Sequence, residues 1–273
     1  MMAITAADVN KLRKQTGLGL MDCKKALVET DGDFEKAIDL LRKKGQKIAA
    51  KRGDNEASEG YVIAKTTEDG KTGINLVLNC ETDFVAKNQQ FVDFVEGLAD
   101  LALSKLPATK EELNNADWNG RTVSEVIEEQ MGKIGEKLEV SDYGMLSAEK
   151  VVAYNHPGNR TAAIVALTKD NAEVGRDLAM QVAAMNPIAL DESEVSEEVK
   201  AKEIEIGTEQ AIAEGKPAEM AGKIAQGKLG KFLKEKTLMN QEFIKTSKKS
   251  VKQYLSEVDS DLQVKGFKLI TLS

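Results

Sequence analysis

Apolar positions along the chain recur with two different periods, and each period predicts a different element. Phe34, Ala37, Ile38 and Leu41 fall at i, i+3, i+4 and i+7, the spacing of a helix with one buried face. Upstream, Val9 and Leu12 predict a short helix, with Thr5 as its N-cap, Asp8 three residues on, and Gly17 as its stop. Met21, Ala26 and Leu27 predict a second helix over residues 20–28, and Asp31-Gly32-Asp33 reads as the turn before the third. Gly45 reads as the stop of that third helix. Three helices in about 43 residues form a unit that is marginal alone. Residues 46–60 are polar and read as a linker.

The pattern then changes twice to strand-like runs. Residues 61–64 and 74–78 flank the turn signal Glu68-Asp69-Gly70-Lys71, which predicts a hairpin. One long helix is expected from 83 to 104, with an apolar stripe of Phe91, Val95, Leu98 and Ala102. About 90 residues on, 150–155 and 162–167 flank His156-Pro157-Gly158-Asn159, and a helix follows over 172–185. Hairpin-then-helix occurring twice suggests two related subdomains, at the level of pattern only. Between them, residues 122–140 read as helical.

Residues 194–236 are polar and helical, broken by Gly215-Lys216-Pro217. Val199, Ile204 and Ile206 precede the break, and Met220, Ile224, Leu229 and Phe232 follow it. A helical hairpin with a narrow apolar stripe is expected there. A short helix over 250–258 and a strand over 262–272 complete the chain. The fold class is α+β.

Composition narrows the function. Of 273 residues only 4% are aromatic, and the net charge of −7 argues against a broad nucleic-acid footprint. Basic runs such as Arg42-Lys43-Lys44 and Lys248-Lys249 read as solvated faces. Cys23 and Cys80 lie far apart with no CxxC spacing, so neither a zinc site nor a disulfide is expected, and both read as small core residues. No run approaches about 18 apolar residues, so a soluble, cytoplasmic protein is expected.

Catalytic chemistry is hard to find. His156, the single histidine, sits in a turn. Thr16-Gly17-Leu18-Gly19-Leu20 lacks the Lys-Ser/Thr of a phosphate-binding loop. No carboxylate pair stands out. A binding protein without cofactor, metal or catalytic residues is therefore expected. Two rivals remain, a general adaptor and a hydrolase built on scattered carboxylates. The unusual surface is Cys80 to Phe91. Thr82 or Asp83 caps a helix there and puts Phe84 in its first turn. Phe84 reads either as a partner contact, detached from the main stripe by Lys87 to Gln90, or as core on the face of Phe91 seven residues on.

Two stretches resemble signatures of the elongation factor Ts family. One is Thr16-Gly17-Leu18-Gly19-Leu20-Met21-Asp22-Cys23-Lys24-Lys25-Ala26-Leu27. The other is Glu81-Thr82-Asp83-Phe84-Val85-Ala86-Lys87-Asn88. Ala49-Ala50-Lys51-Arg52 and Glu59-Gly60 resemble the junction into that family's core, and Gly215-Lys216-Pro217 the tip of its helical hairpin.

The resemblance implies a guanine-nucleotide exchange factor that binds elongation factor Tu. It implies a ubiquitin-associated-like domain over 1–53 and a core subdomain over 54–145. A second core subdomain over 146–192 and 237–273, interrupted by a coiled-coil hairpin over 193–236, completes the expected architecture. It implies docking through Thr16, Gly17, Leu18 and Met21, and an element Thr82, Asp83, Phe84 and Val85 that dislodges Mg2+ from the partner. The hairpin is associated with dimer contacts in some members, so a homodimer through it is a further expectation. Two departures are visible. Asn159 separates Gly158 from Arg160 where the family tends to show a Gly-Arg pair, which leaves the contact of His156 with the partner's third domain open. The chain also stops at Ser273, where some relatives carry a further helical module; that module is expected to be missing here.

Overall fold

The computed structural model describes residues 4–272. It is a mixed α+β structure and divides into two compact units. The first comprises Met1–Ile63, Leu76–Gly144 and Thr271–Ser273, and the second Ala64–Asn75 and Met145–Ile270.

The first unit opens with α1 (Ala6–Thr16), α2 (Leu20–Glu29) and α3 (Phe34–Arg52). Thr5 and Asp8 form a reciprocal capping box on α1, which satisfies two otherwise unpaired backbone donors at its start. Gly17 ends α1 in the left-handed conformation, which a residue without Cβ adopts at little cost. Val9, Leu12, Cys23, Ala26, Leu27, Ala37 and Leu41 form the shared core of the three helices. Met21, one of the apolar positions that predict α2, is exposed, because Cys23, Ala26 and Leu27 fill the buried side of the helix.

Gly45 does not stop α3. The helix continues to Arg52, so residues 46–52 of the expected linker are helical. Gly45 is a packing position: α7 (Val123–Ile134) crosses α3 there, and a Cβ on Gly132 would lie 2.7 Å from the Gly45 Cα. The two backbones meet because neither residue carries a side chain.

The strands are β1 (Glu59–Thr66), β2 (Thr72–Cys80) and β3 (Glu139–Ser147), in the order β1-β2-β3. Residues 59–60 thus belong to a strand rather than to the expected linker. β2 is central and buried from Gly73 to Cys80, which explains its run Ile74-Asn75-Leu76-Val77-Leu78. The expected helix over 122–140 is shorter. Gly135 ends α7 with φ 80°, and the chain then enters β3, which the apolar spacing had hidden. A short helix, α6 (Lys110–Asn115), was also not foreseen. The expected helix over 83–104 is two helices, α4 (Asp83–Ala86) and α5 (Gln89–Lys105), and α5 buries Phe91, Val95, Leu98, Ala99 and Ala102.

In the second unit, β4 (Lys150–Asn155) pairs antiparallel with β5 (Thr161–Leu167), and β6 (Val264–Thr271) completes the sheet in the order β4-β5-β6. α8 (Ala172–Met185) packs on β4 and β5, and α11 (Val251–Val258) adds Val251 and Leu255 to the same core. α9 (Glu197–Ala213) and α10 (Ala218–Lys236) form an antiparallel pair. Its seam is made of small residues, Gly207, Ala211, Ala221 and Ala225, rather than the larger apolar stripe expected from spacing. Ile206 and Met220 are exposed, while Val199, Leu229 and Phe232 pack at the base of the pair against Ala189, Val195 and Leu233. Small residues let the helices approach closely, and the larger side chains are displaced outward or to the base.

Candidate functional site

The corner between β2 and α5 is built by caps. Thr82 is extended, and its hydroxyl accepts from the Val85 amide to start α4. The helix ends after one turn. Asn88 returns to extended backbone, and its side chain accepts from the Gln90 amide to start α5. This second cap breaks the register between Phe84 and Phe91. The core reading of Phe84 therefore fails: the ring is 83% exposed, more than any other large hydrophobic among the described residues. Burying a Phe side chain is worth about 1.5–3 kcal/mol, a gain this position forgoes. Beside the ring, Asp83 accepts from Lys87 Nζ at 2.6 Å. That hydrogen bond, with the ammonium charge, holds the Asp83 carboxyl below its ordinary range. Val85 is half-buried.

Behind the corner, two carboxylates grip the backbone. Glu136, just after α7, accepts from the amides of Glu81 and Thr82, both at 3.1 Å, and from the Thr82 hydroxyl at 2.7 Å. Glu81 accepts from the Lys137 amide at 2.6 Å, from Arg52 Nη1 at 2.8 and 2.9 Å, and from Asn55 Nδ2 at 3.1 Å. The backbone bond from Lys137, followed by the Arg52 and Asn55 bonds, holds the Glu81 carboxyl below its usual value. Lys137 Nζ donates in turn to the carbonyls of Gly53 and Asn55. Sequence reading missed this network, because its members come from three segments with no local pattern to join them.

The other expected contact residues are spread more widely. Gly17 and Met21 are exposed on the three-helix unit, Met21 at 61%. Leu18 is half-buried against its core. Thr16 is buried, and its hydroxyl donates to the Leu12 carbonyl, so it shapes the loop without offering a surface. His156, in the second unit, is exposed in the turn between β4 and β5, with Nδ1 3.0 Å from the Tyr154 hydroxyl. Gly158 and Asn159 both have positive φ there, 90° and 50°. The extra residue before Arg160 is thus absorbed within the turn.

No cluster of His, Cys, Asp or Glu suited to a metal occurs among the described residues. Burial, helped by the nearby Glu136 charge, pushes the Cys80 thiol up to about 12, so it is protonated and unreactive at neutral pH. A hydrolase on scattered carboxylates needs one with a raised pKa. Each Asp or Glu that moves clearly from its ordinary value moves down instead. No helix among the described residues is long and apolar enough to cross a membrane.

Comparison with known proteins agrees with the resemblance seen in the two motifs. The family model described as elongation factor TS matches residues 81–273. The elongation factor Ts of Amoebophilus asiaticus is 50% identical over 273 residues, covering 98% of this chain and 99% of its own. That of Christiangramia forsetii is 50% identical with both chains covered completely. That of Porphyromonas gingivalis is 44% identical, covering 100% of this chain and 99% of its own. The similarity runs through the three-helix unit, the capped corner and the helical pair alike, and the chain belongs to the elongation factor Ts family.

Proposed function

We propose that this protein is a guanine-nucleotide exchange factor of translation elongation, which binds GDP-bound elongation factor Tu in the cytoplasm and promotes replacement of GDP by GTP. The observation that carries the reading is Phe84, which stands in solvent on a corner held from behind by two carboxylates. In this mechanism Asp83 and Phe84, flanked by Thr82 and Val85, press against the partner beside its nucleotide. They disturb the magnesium ion and the backbone donors that hold the phosphates. No covalent step is needed, and no catalytic residue or cofactor is assigned to this chain. By linkage, a factor that binds the nucleotide-free partner more tightly must weaken nucleotide, and nucleotide must weaken the factor.

The rest of the chain docks. Residues 1–53 act as a ubiquitin-associated-like domain that meets the partner's nucleotide-binding domain through Gly17, Leu18 and Met21, on a loop shaped by Thr16. Residues 54–145 form the core subdomain that carries the corner. Residues 146–192 and 237–273 form the second, related subdomain, which offers the turn at His156 to the partner's third domain. Residues 193–236 form a projecting coiled coil through which two copies associate. Neither nucleic acid nor membrane takes part.

The test is release of fluorescent GDP from elongation factor Tu, with and without this protein, over a range of magnesium concentrations. Acceleration that shrinks as magnesium is withdrawn supports the mechanism. No acceleration at any concentration refutes the exchange reading, and acceleration indifferent to magnesium refutes the magnesium step.

A further inference from the structure

A one-turn helix bearing an exposed aromatic is a poor wedge unless something outside it holds it still. α4 has only four residues and buries none of them. Isolated turns of this length are unstable, because nucleation fixes several residues for one hydrogen bond. The force that keeps the corner in shape must come from elsewhere, and on its N-terminal side Glu136 grips the amides of Glu81 and Thr82 and the Thr82 hydroxyl.

We propose that Glu136 is a positioning residue for exchange, which presents Phe84 by clamping the Glu81–Thr82 backbone, and that Glu81 is the reciprocal half of the same clamp. The geometry is mutual. Glu136 reaches forward from the loop after α7 to the amides of Glu81 and Thr82. Glu81 reaches back to the Lys137 amide of that same loop. One pair of adjacent residues on each strand of chain thus holds the other by its backbone. Charge-assisted bonds to backbone N–H groups are the stronger kind, and they fix direction as well as distance.

The clamp also ties the corner to α3. Arg52, the last residue of α3, is paired to Glu81, and Asn55 adds a bond in the following turn. Lys137 Nζ closes the same turn through the carbonyls of Gly53 and Asn55. The three-helix unit and the aromatic corner are therefore connected through side chains that contribute nothing to either apolar core. Glu136 acts through its bonds to Thr82, and an error of about 1 Å in a positioned group is enough to matter.

This inference rests on the exchange reading given above. The experiment measures release of fluorescent GDP from elongation factor Tu at rising concentrations of the full-length protein, for Glu136→Ala, Glu136→Gln, Glu136→Asp, Phe84→Ala and the double variant Phe84→Ala/Glu136→Ala. Glutamine keeps the reach: its carbonyl accepts from the two amides and its NH2 donates to the Thr82 hydroxyl. Aspartate keeps the charge and loses the reach. Glu136→Ala should lower the maximal release rate about tenfold, with the half-saturating concentration within about twofold of wild type. Glu136→Gln should retain most of the rate and exceed Glu136→Asp. The double variant should be no slower than Phe84→Ala, because residues that act as a unit are not additive.

Hydrogen exchange supplies a readout independent of release: the Glu81 and Thr82 amides should lose protection in Glu136→Ala while the thermal midpoint stays within a few degrees. If Glu136→Ala does not fold, the order of Gln and Asp decides. Four outcomes overturn the proposal: a wild-type rate for Glu136→Ala, equal loss with and without Phe84, Asp exceeding Gln, or unchanged amide protection. If the wild-type protein itself fails to release GDP, the exchange reading falls and this inference falls with it; if only the variants behave as wild type, the clamp alone is wrong.

Discussion

Two strand-to-helix junctions in this molecule begin alike and end differently. After β5, Asn171 caps α8, and the first-turn residue Val174 is 2% exposed, packed in the core of its unit. After β2, Thr82 caps α4, and the first-turn residue Phe84 stands in water. Both caps use a side-chain oxygen on a backbone amide three residues on. The difference lies beyond the cap. α8 runs unbroken for 14 residues and rests on its sheet so closely that a Cβ on Gly175 would collide with the Val152 side chain. α4 stops after four residues, and a second cap at Asn88 starts a helix with its own phase. An aromatic can stay out of the core because the helix that carries it is cut from the helix that packs.

That contrast is open to several tests. The largest effect is expected at Val174→Asp, which buries a carboxylate with no partner and should destabilise the protein by several kcal/mol in urea melts. Phe84→Asp at the matching corner should change the same melts by less than about 0.5 kcal/mol. A comparable loss at both positions would mean that Phe84 is held in a core after all. Next comes Gly175→Ala, where the Val152 contact forces α8 off its sheet; a loss of about 1–3 kcal/mol is expected from overpacking. The two helices after β2 can also be fused. Asn88→Leu removes the cap of α5, costs about 1 kcal/mol by thermal or urea melting, and should redirect Phe84 and slow GDP release. Unchanged release would show that the break between α4 and α5 has no part in presenting the ring.

A smaller effect concerns acid. The Glu81 carboxyl is depressed in the folded protein, chiefly by the Lys137 amide. A depressed carboxylate stabilises the folded state fully above its unfolded pKa, and that contribution is lost as pH falls through the folded value. Wild-type stability should therefore fall faster than that of Glu81→Gln as pH drops from about 5 into the acid range, measured by melts at each pH. Parallel curves would mean that the bonds to Glu81 hold only in passing. The smallest effect is expected at Asp83→Ala. It removes an exposed, solvent-screened ion pair to Lys87, so melts should barely move.

Much of this was legible in the chain. Thr5, Gly17, the turn at Glu68-Asp69-Gly70-Lys71, α8 and the break at Gly215-Lys216-Pro217 stand where spacing and caps put them, because local hydrogen bonding decides such features. Two long motifs were enough to suggest the family. Gly45 misled because a glycine near a helix end signals a stop only when nothing packs against it; here another helix does, and α3 runs on. The boundary between α7 and β3 was hidden because Leu138, four residues after Ile134, continues the helical spacing past Gly135 by chance.

What the sequence determined by itself is the set of elements whose start and stop signals are local, and the membership carried by its motifs. What only the tertiary structure decided is the fate of Phe84 and the grip on Thr82. The exposure of the ring depends on a cap four residues later, and the grip on Thr82 comes from Glu136, which lies far along the chain. Hydrogen bonds between distant segments follow no sequence period, so they exist only once the chain has folded.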